Sequence, residues 1–264
     1  MFQPIIRILL FVSWISVAAP SLAICTGENP ESAEFPESLV LSVTEYGVHS
    51  AWYDDATDRY SHGVLGDAIE PSTLVVKDNH DCTRSIVLDI AHVFEDVAPR
   101  LAKIDDTPGD EIVTIRSHRN YGAQIAIYQL SEGEIRLLAT TPYIGTANRW
   151  LAPVGIADFN KDGKVDIAFV DRPHLAKTLR IWSYHNGELE EVASKTGYSN
   201  HRIGENFISG GIKTCGDSTT MITADASWRR ILETAMQKDR LVTTDIGAFS
   251  GKDSLNEALL CNGM

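Results

Sequence analysis

The chain has 264 residues, 44% of them hydrophobic, with 36 Asp and Glu against 23 Lys and Arg for a net charge of −13. That acidic balance excludes a general nucleic-acid binder, whose surface needs clustered Lys and Arg, and suits a protein that attracts cations. No stretch beyond the leader approaches the roughly 18 uninterrupted apolar residues of a membrane-spanning helix, and the length suffices for one large β domain or two small ones.

The first residues read as an address. Arg7 gives a positive start, residues 8–17 are a short apolar core, and Ser21-Leu22-Ala23 is a small-x-small cleavage site. Residues 1–23 are therefore predicted to be a signal peptide cut after Ala23, which makes the chain periplasmic or secreted. Loss of Arg7 with that leader takes the charge from −13 to −14. Lipidation of Cys25 is disfavoured, because Ile24 stands where a small residue is expected. The remaining cysteines, Cys25, Cys82, Cys215 and Cys261, form no CxxC and no zinc spacing. In an oxidising compartment they are expected to make two disulfides. Of the three possible pairings, Cys25 with Cys82 and Cys215 with Cys261 are favoured, because each closes a moderate loop.

Residues 24–264 are expected to form one domain. Residues 39–43 and 50–53 read as strands that precede a series of similar segments. The segment 62–95 contains the apolar runs 63–66, 74–76 and 85–88. In 99–142 the runs are 100–102, 111–115, 124–128 and 134–139. The segment 152–195 repeats them, with Asp166-Ile167-Ala168-Phe169-Val170 standing 55 residues after Glu111-Ile112-Val113-Thr114-Ile115. A weaker copy covers 208–247. Ser131-Glu132-Gly133-Glu134 and His185-Asn186-Gly187-Glu188 have hairpin chemistry. Four strands in about 45–55 residues is the signature of a β-propeller blade. The predicted fold is all-β, a propeller of about five four-stranded blades. Residues 39–56 and the C-terminal segment share a split blade that closes the ring with strands from both termini. A pair of β-sandwich domains is the alternative.

The stretch Asp158-Phe159-Asn160-Lys161-Asp162-Gly163-Lys164-Val165-Asp166 has a cation-loop pattern. Asp158, Asn160, Asp162 and Asp166 place side-chain oxygens at positions 1, 3, 5 and 9, joined by Lys164 at position 7, and Gly163 supplies the sharp turn. A hard cation, Ca2+, is the expected occupant. An EF-hand would carry Glu at position 12 and flanking helices; here Phe169 is at position 12 and the flanks are strand-like. The corresponding loop 103–111 substitutes Lys103 for the first carboxylate and Pro108 for the glycine, so one strong site is expected.

The Asp-x-Asn-x-Asp-Gly-x-x-Asp loop between strands resembles the FG-GAP/VCBS-type repeat of integrin-like propellers, and the runs 94–102, 148–153 and 171–176 are similar to those of bacterial exported VCBS-repeat proteins. The resemblance covers about residues 60–250. It implies the fold and a structural Ca2+ held between the first two strands of a blade. It implies no activity.

On a propeller, the loops between strands two and three and the links to the next blade share one face, opposite the calcium loop. On that face the sequence places Asp78, Asn79 and His80; His118, Arg119 and Asn120; Asp171, Arg172 and His174; Trp228, Arg229 and Arg230; and, from the links, Tyr60, His62, Asn148, Arg149, Trp150, Asn200, His201 and Arg202. The ligand-binding candidates are Arg119, Arg149, Trp150, Arg172, His174, His201 and Arg202. Arg grips carboxylates or phosphates in a fork, Trp offers a stacking plane, and His titrates near neutrality. The competing structural role is a set of polar bridges between blades. Asp89 and His92, read as strand neighbours, point to opposite faces. Tyr128 and Trp182 occupy equivalent core positions.

No GxSxG, HExxH or P-loop is present. The expected function is a non-enzymatic, calcium-stabilised, monomeric binding module for a protein, a glycan or an anionic small molecule. The alternative is a hydrolase or lyase acting on an anionic or glycan substrate through His118, Arg172, His174 and His201.

Overall fold

The computed structural model describes residue 25 and residues 30–261. The leader and its cleavage site lie outside the described residues. The chain folds into four antiparallel sheets, each wound from consecutive strands. The first holds β1 (Phe35–Leu41), β2 (Val48–Thr57), β3 (Glu70–Asp78) and β4 (Thr83–Val87). The second holds β5 (His92–Phe94) and β6 (Arg100–Ala102), both on β7 (Glu111–His118), then β8 (Gly122–Ser131) and β9 (Glu134–Thr140). The third is β10 (Leu151–Ala157), β11 (Asp166–Asp171), β12 (Thr178–His185) and β13 (Glu188–Thr196). The fourth places β14 (Tyr198–Ser199) and β15 (Gly211–Cys215) on β16 (Ser218–Asp225), then β17 (Arg230–Gln237) and β18 (Arg240–Ala248).

The local chemistry explains the hairpins. Glu132-Gly133 and Asn186-Gly187 both take positive φ (52° and 79°, 50° and 88°), the two-residue turn whose twist matches that of its strands. A register shift recurs between the third and fourth strands of three sheets, at Ile127/Tyr128, Ile181/Trp182 and Ile231/Leu232. A bulge at one fixed place increases the twist and re-aims the residue that follows it.

Consecutive sheets stack face to face, and their alternating strands supply a core at each junction. Tyr53, Leu74 and Val76 of the first sheet meet Phe94, Ile112, Ala126 and Tyr128 of the second. Val113, Ile115, Ile125 and Ile127 of the second meet Trp150, Leu151, Ile167 and Phe169 on the third. Val170, Leu179 and Ile181 of the third meet Tyr198, Met221 and Met236 of the fourth. The outermost strands follow suit, β4 against β9, β9 against β13 and β13 against β18. The far face of the last sheet is covered by α1 (Lys252–Ala258), whose Leu255 is buried on Ile222 and Ile231.

Three sequence expectations are corrected. The described residues make four sheets, where about five were expected. The split blade does not form, because β2 pairs with β3 from Val48 to Thr57 and so spends residues 39–56 on the first sheet, while the C-terminal segment turns helical. The run 63–66 is no strand: it lies in the connection 58–69, with Gly63 and Gly66 at φ of 58° and 110°, and its Val64 plugs the core between the second and third sheets. This shifts the first segment by one strand, so Asp78, Asn79 and His80 belong to the hairpin between the third and fourth strands, at the opposite end from the loops with which they were grouped. The disulfides are Cys25–Cys82 and Cys215–Cys261, as the loop lengths favoured.

Candidate functional site

The loops between second and third strands meet the inter-sheet connections around Trp150. Its indole is buried and donates from Nε1 to the Glu95 carbonyl at 2.7 Å. The His201 ring lies edge-on to it at 4.9 Å, and the His174 ring is 5.2 Å from that of His201. A proton assignment follows. The Glu205 carbonyl can only accept, so His201 donates from Nε2 to it at 2.8 Å. That leaves His201 Nδ1 to accept from His174 Nε2 at 3.1 Å. Burial, with His201 second, pushes His174 down to about 4, and burial also lowers His201. Both rings are neutral at pH 7, so the expectation that His174 titrates near neutrality is not met.

On the other side of Trp150, His62 Nδ1 bonds a Glu95 carboxylate oxygen, and the Ser117 hydroxyl donates to the second oxygen of the same group. Glu95 is fully buried. Burial raises its pKa, and the bonds from His62 and Ser117 oppose that shift. His62, Arg149, Arg172 and His174 then line one depression of about 30 Å3. Arg172 sits there with φ of 46° and Asn148 with φ of 52°. A non-glycine residue in the left-handed region is uncommon and collects at functional loops.

The other candidates are dispersed. Arg172 is forked onto Asp171 from Nε at 2.7 Å and Nη2 at 2.9 Å. Arg202 lies over the Trp228 and Phe249 rings, 4.4 and 4.9 Å from their centroids; it serves the fourth sheet. Arg149 donates to the neighbouring Asn148 carbonyl at 2.7 Å, and the Arg119 amide bonds the Ala91 carbonyl at 2.8 Å. His118 is stacked on Tyr121 at 4.6 Å and lies edge-on to His92 at 4.8 Å and to Tyr143 at 5.6 Å.

Two constellations escaped sequence reading. Asp89 Oδ1 accepts from His92 Nδ1 at 2.7 Å, and His92 Nε2 meets the Tyr143 hydroxyl at 2.7 Å. Residues 89–91 form a turn, with the Ala91 amide on Asp89 at 2.9 Å, so the two side chains converge instead of opposing. The second is a set of buried acids at the junction of the first two sheets, Glu70, Glu95 and Asp96. Asp96 is forked by Arg100 at 2.6 and 3.1 Å. Glu70 keeps Oε1 buried without a hydrogen-bond partner. The acidic pair Glu95-Asp96 between apolar neighbours was the one visible signal.

The loop of residues 158–165 joins β10 to β11. Asp158 accepts the amides of Asp162 at 3.1 Å and Gly163 at 2.8 Å; Asp162 accepts that of Lys164 at 2.9 Å, and Asn160 Oδ1 accepts that of Asp162 at 3.1 Å. Asp166 opens β11, fully buried, with one oxygen on the Phe159 amide at 3.2 Å and the Ser183 hydroxyl of the facing strand beside the carboxylate. Among the described residues, the acidic group whose oxygens all lie within 4.8 Å of one another is Glu34, Asp54 and Asp55; the three Asp of the loop are more spread. No protein-family model matches the chain, and no curated protein matches it.

Proposed function

We propose that the protein is a non-enzymatic, calcium-stabilised, exported binding module, a propeller of the FG-GAP/VCBS kind whose blades are the four stacked sheets, and that it takes an anionic group in the depression beside Trp150. One observation carries the anionic preference. His62, Arg149, Arg172 and His174 arrive from three separate connections, and no carboxylate lines the depression, although the chain carries a charge of −13. Arg149 supplies the charge, because Arg172 is paired with Asp171 and the Nε2 proton of neutral His174 is spent on His201.

Export agrees with the two disulfides and with the absence, among the described residues, of a helix long and apolar enough to cross a membrane. The centre of the first sheet is covered on its outer side as well: Trp52 and Val75, on the side away from the second sheet, are 0% and 1% exposed. The residues of the 158–166 loop fit a hard oxygen-seeking cation, because the buried Asp166 carboxylate is repelled by Asp162 and Asp158 and is met by neutral groups, the Phe159 amide and the Ser183 hydroxyl. The ion would be held by Asp158, Asn160, Asp162 and Asp166 and by the backbone carbonyl of Lys164, and it would offset the mutual repulsion of Asp158, Asp162 and Asp166.

Calorimetric titration with inorganic phosphate and with acetate tests the anion site. Saturable binding that Arg149→Ala weakens by about tenfold or more, the scale of a lost charge-assisted hydrogen bond, is expected. Binding that the substitution leaves untouched would refute the site.

A further inference from the structure

A second cavity adjoins the depression and shares Arg172 with it. This cleft, of about 180 Å3, opens where the connection after β9 crosses the third sheet. Phe169 and Leu151 form an apolar part of its lining, and Trp182 lies on it with its indole Nε1 buried and without a hydrogen-bond partner. That nitrogen is closed to solvent, so what Trp182 presents to the cleft is ring surface.

The polar side of the cleft is a chain of planar charged groups. Arg172 forks Asp171; Arg180 bonds Asp171 from Nε at 3.0 Å and Glu191 from Nη1 at 2.9 and 2.8 Å. Two positive and two negative groups cancel, so this part of the site selects no net charge. What it offers is alternating donors and acceptors in fixed planes next to an indole. Neighbouring hydroxyls on a ring satisfy such a row, and the apolar face of the same ring covers the aromatic surface. Tyr143 closes the wall, its hydroxyl held by His92 Nε2 at 2.7 Å and that ring by Asp89. The Asp89–His92–Tyr143 series thus acts as a positioning device for the cleft.

We infer that the ligand is an acidic sugar, with its ring in the Trp182 cleft and its carboxylate on the Arg149 and Arg172 side. This rests on the anion site proposed above and adds the ring. Glucuronate, glucose and acetate would be titrated into the calcium-loaded mature protein, into Arg149→Ala and into Trp182→Phe. The last keeps an aromatic ring in the fold but a smaller one, with less surface toward the cleft.

The expected pattern has three parts. Glucuronate binds at least about tenfold tighter than acetate. Trp182→Phe weakens glucuronate by about fivefold, the scale of a reduced aromatic contact, without altering acetate. Arg149→Ala weakens both. Equal affinity for acetate and glucuronate, indifferent to Trp182→Phe, would overturn the sugar cleft and leave the anion site standing. Glucose binding as well as glucuronate, with no effect of Arg149→Ala, would overturn the acidic assignment. No binding of any of the three would overturn both.

Discussion

Asp166 is a carboxylate placed where it is costly to ionise. It begins a strand buried along its whole length, and burial raises its pKa from an ordinary 3.8 to about 6, with Asp162 and Asp158 adding repulsion. A folded-state pKa above the unfolded value means that the folded chain holds the proton more tightly. Without a cation, stability should therefore be greatest below about 3.8 and be lost as pH rises through 6. A divalent ion stabilises the ionised form and reverses the preference. Melting temperatures of the Asp166→Asn variant and the unmutated protein, each in calcium and in chelator, check this. Calcium should raise the unmutated protein's melting point more at pH 7 than at pH 4.5, and Asp166→Asn should abolish most of that difference. The same melting point with and without calcium at pH 7 would refute the cation. At this scale the loop was legible because its spacing is local: Asp158, Asn160, Asp162 and Asp166 lie within nine positions. The His174–His201 bond and the His62–Glu95 bond span 27 and 33 residues, and nothing local announces them. Asp89 and His92 were misread because a turn had been taken for a strand.

The element scale shows why some sheets were readable and one was not. The second and third have a Gly in the hairpin between their last two strands and long apolar runs in their inner strands, which is why their main strands fall inside 99–142 and 152–195 to within a residue. The short β5 and β14, before 99 and 208, carry too few residues to be seen. The first has a connection of 58–69 between its second and third strands, rich enough in Gly, Val and Leu to pass for a strand. Its β1 is mostly exposed, which leaves little alternation to detect. That connection brings Glu70, at the start of β3, against the second sheet. Glu70 is 2% exposed, and burial raises its pKa well above the usual range, with Glu95 adding further repulsion. The proton-bearing form is the one that fits the fold. Stability from this group is present below the ordinary Glu range near 4.5 and is lost as pH rises from there. Glu70→Gln has the same shape without the charge. It should melt with the unmutated protein at pH 4 and above it at pH 8; a lower melting point at pH 8 would show that the ionised carboxylate has a partner.

For the whole molecule, the question is whether a row of stacked sheets behaves as one body. Each interior junction has a core, but the two end sheets have faces that no neighbour in chain order covers. At the C-terminal end, α1 covers that face with Leu255, a helix that the apolar pattern did not reveal because it spans seven residues. At the N-terminal end, Trp52 and Val75 are buried on theirs. Both disulfides sit at these ends: Cys25 is tied to Cys82 in the β3–β4 hairpin, and Cys215 at the end of β15 is tied to Cys261 beyond α1. Their separations of 57 and 46 residues imply about 4 kcal/mol each from restriction of the unfolded chain. Replacing Cys215 and Cys261 together by Ser should therefore lower the melting temperature by roughly 10 °C. The form of the transition is the sharper test. In a closed ring, loosening one end weakens every junction, so tryptophan fluorescence, with Trp150 and Trp182 in the middle of the array and Trp52 and Trp228 in the end sheets, should fall together with far-UV circular dichroism at one lowered temperature. In an open row, the fourth sheet would melt ahead of the others. Two separated transitions in that double variant would rule out closure.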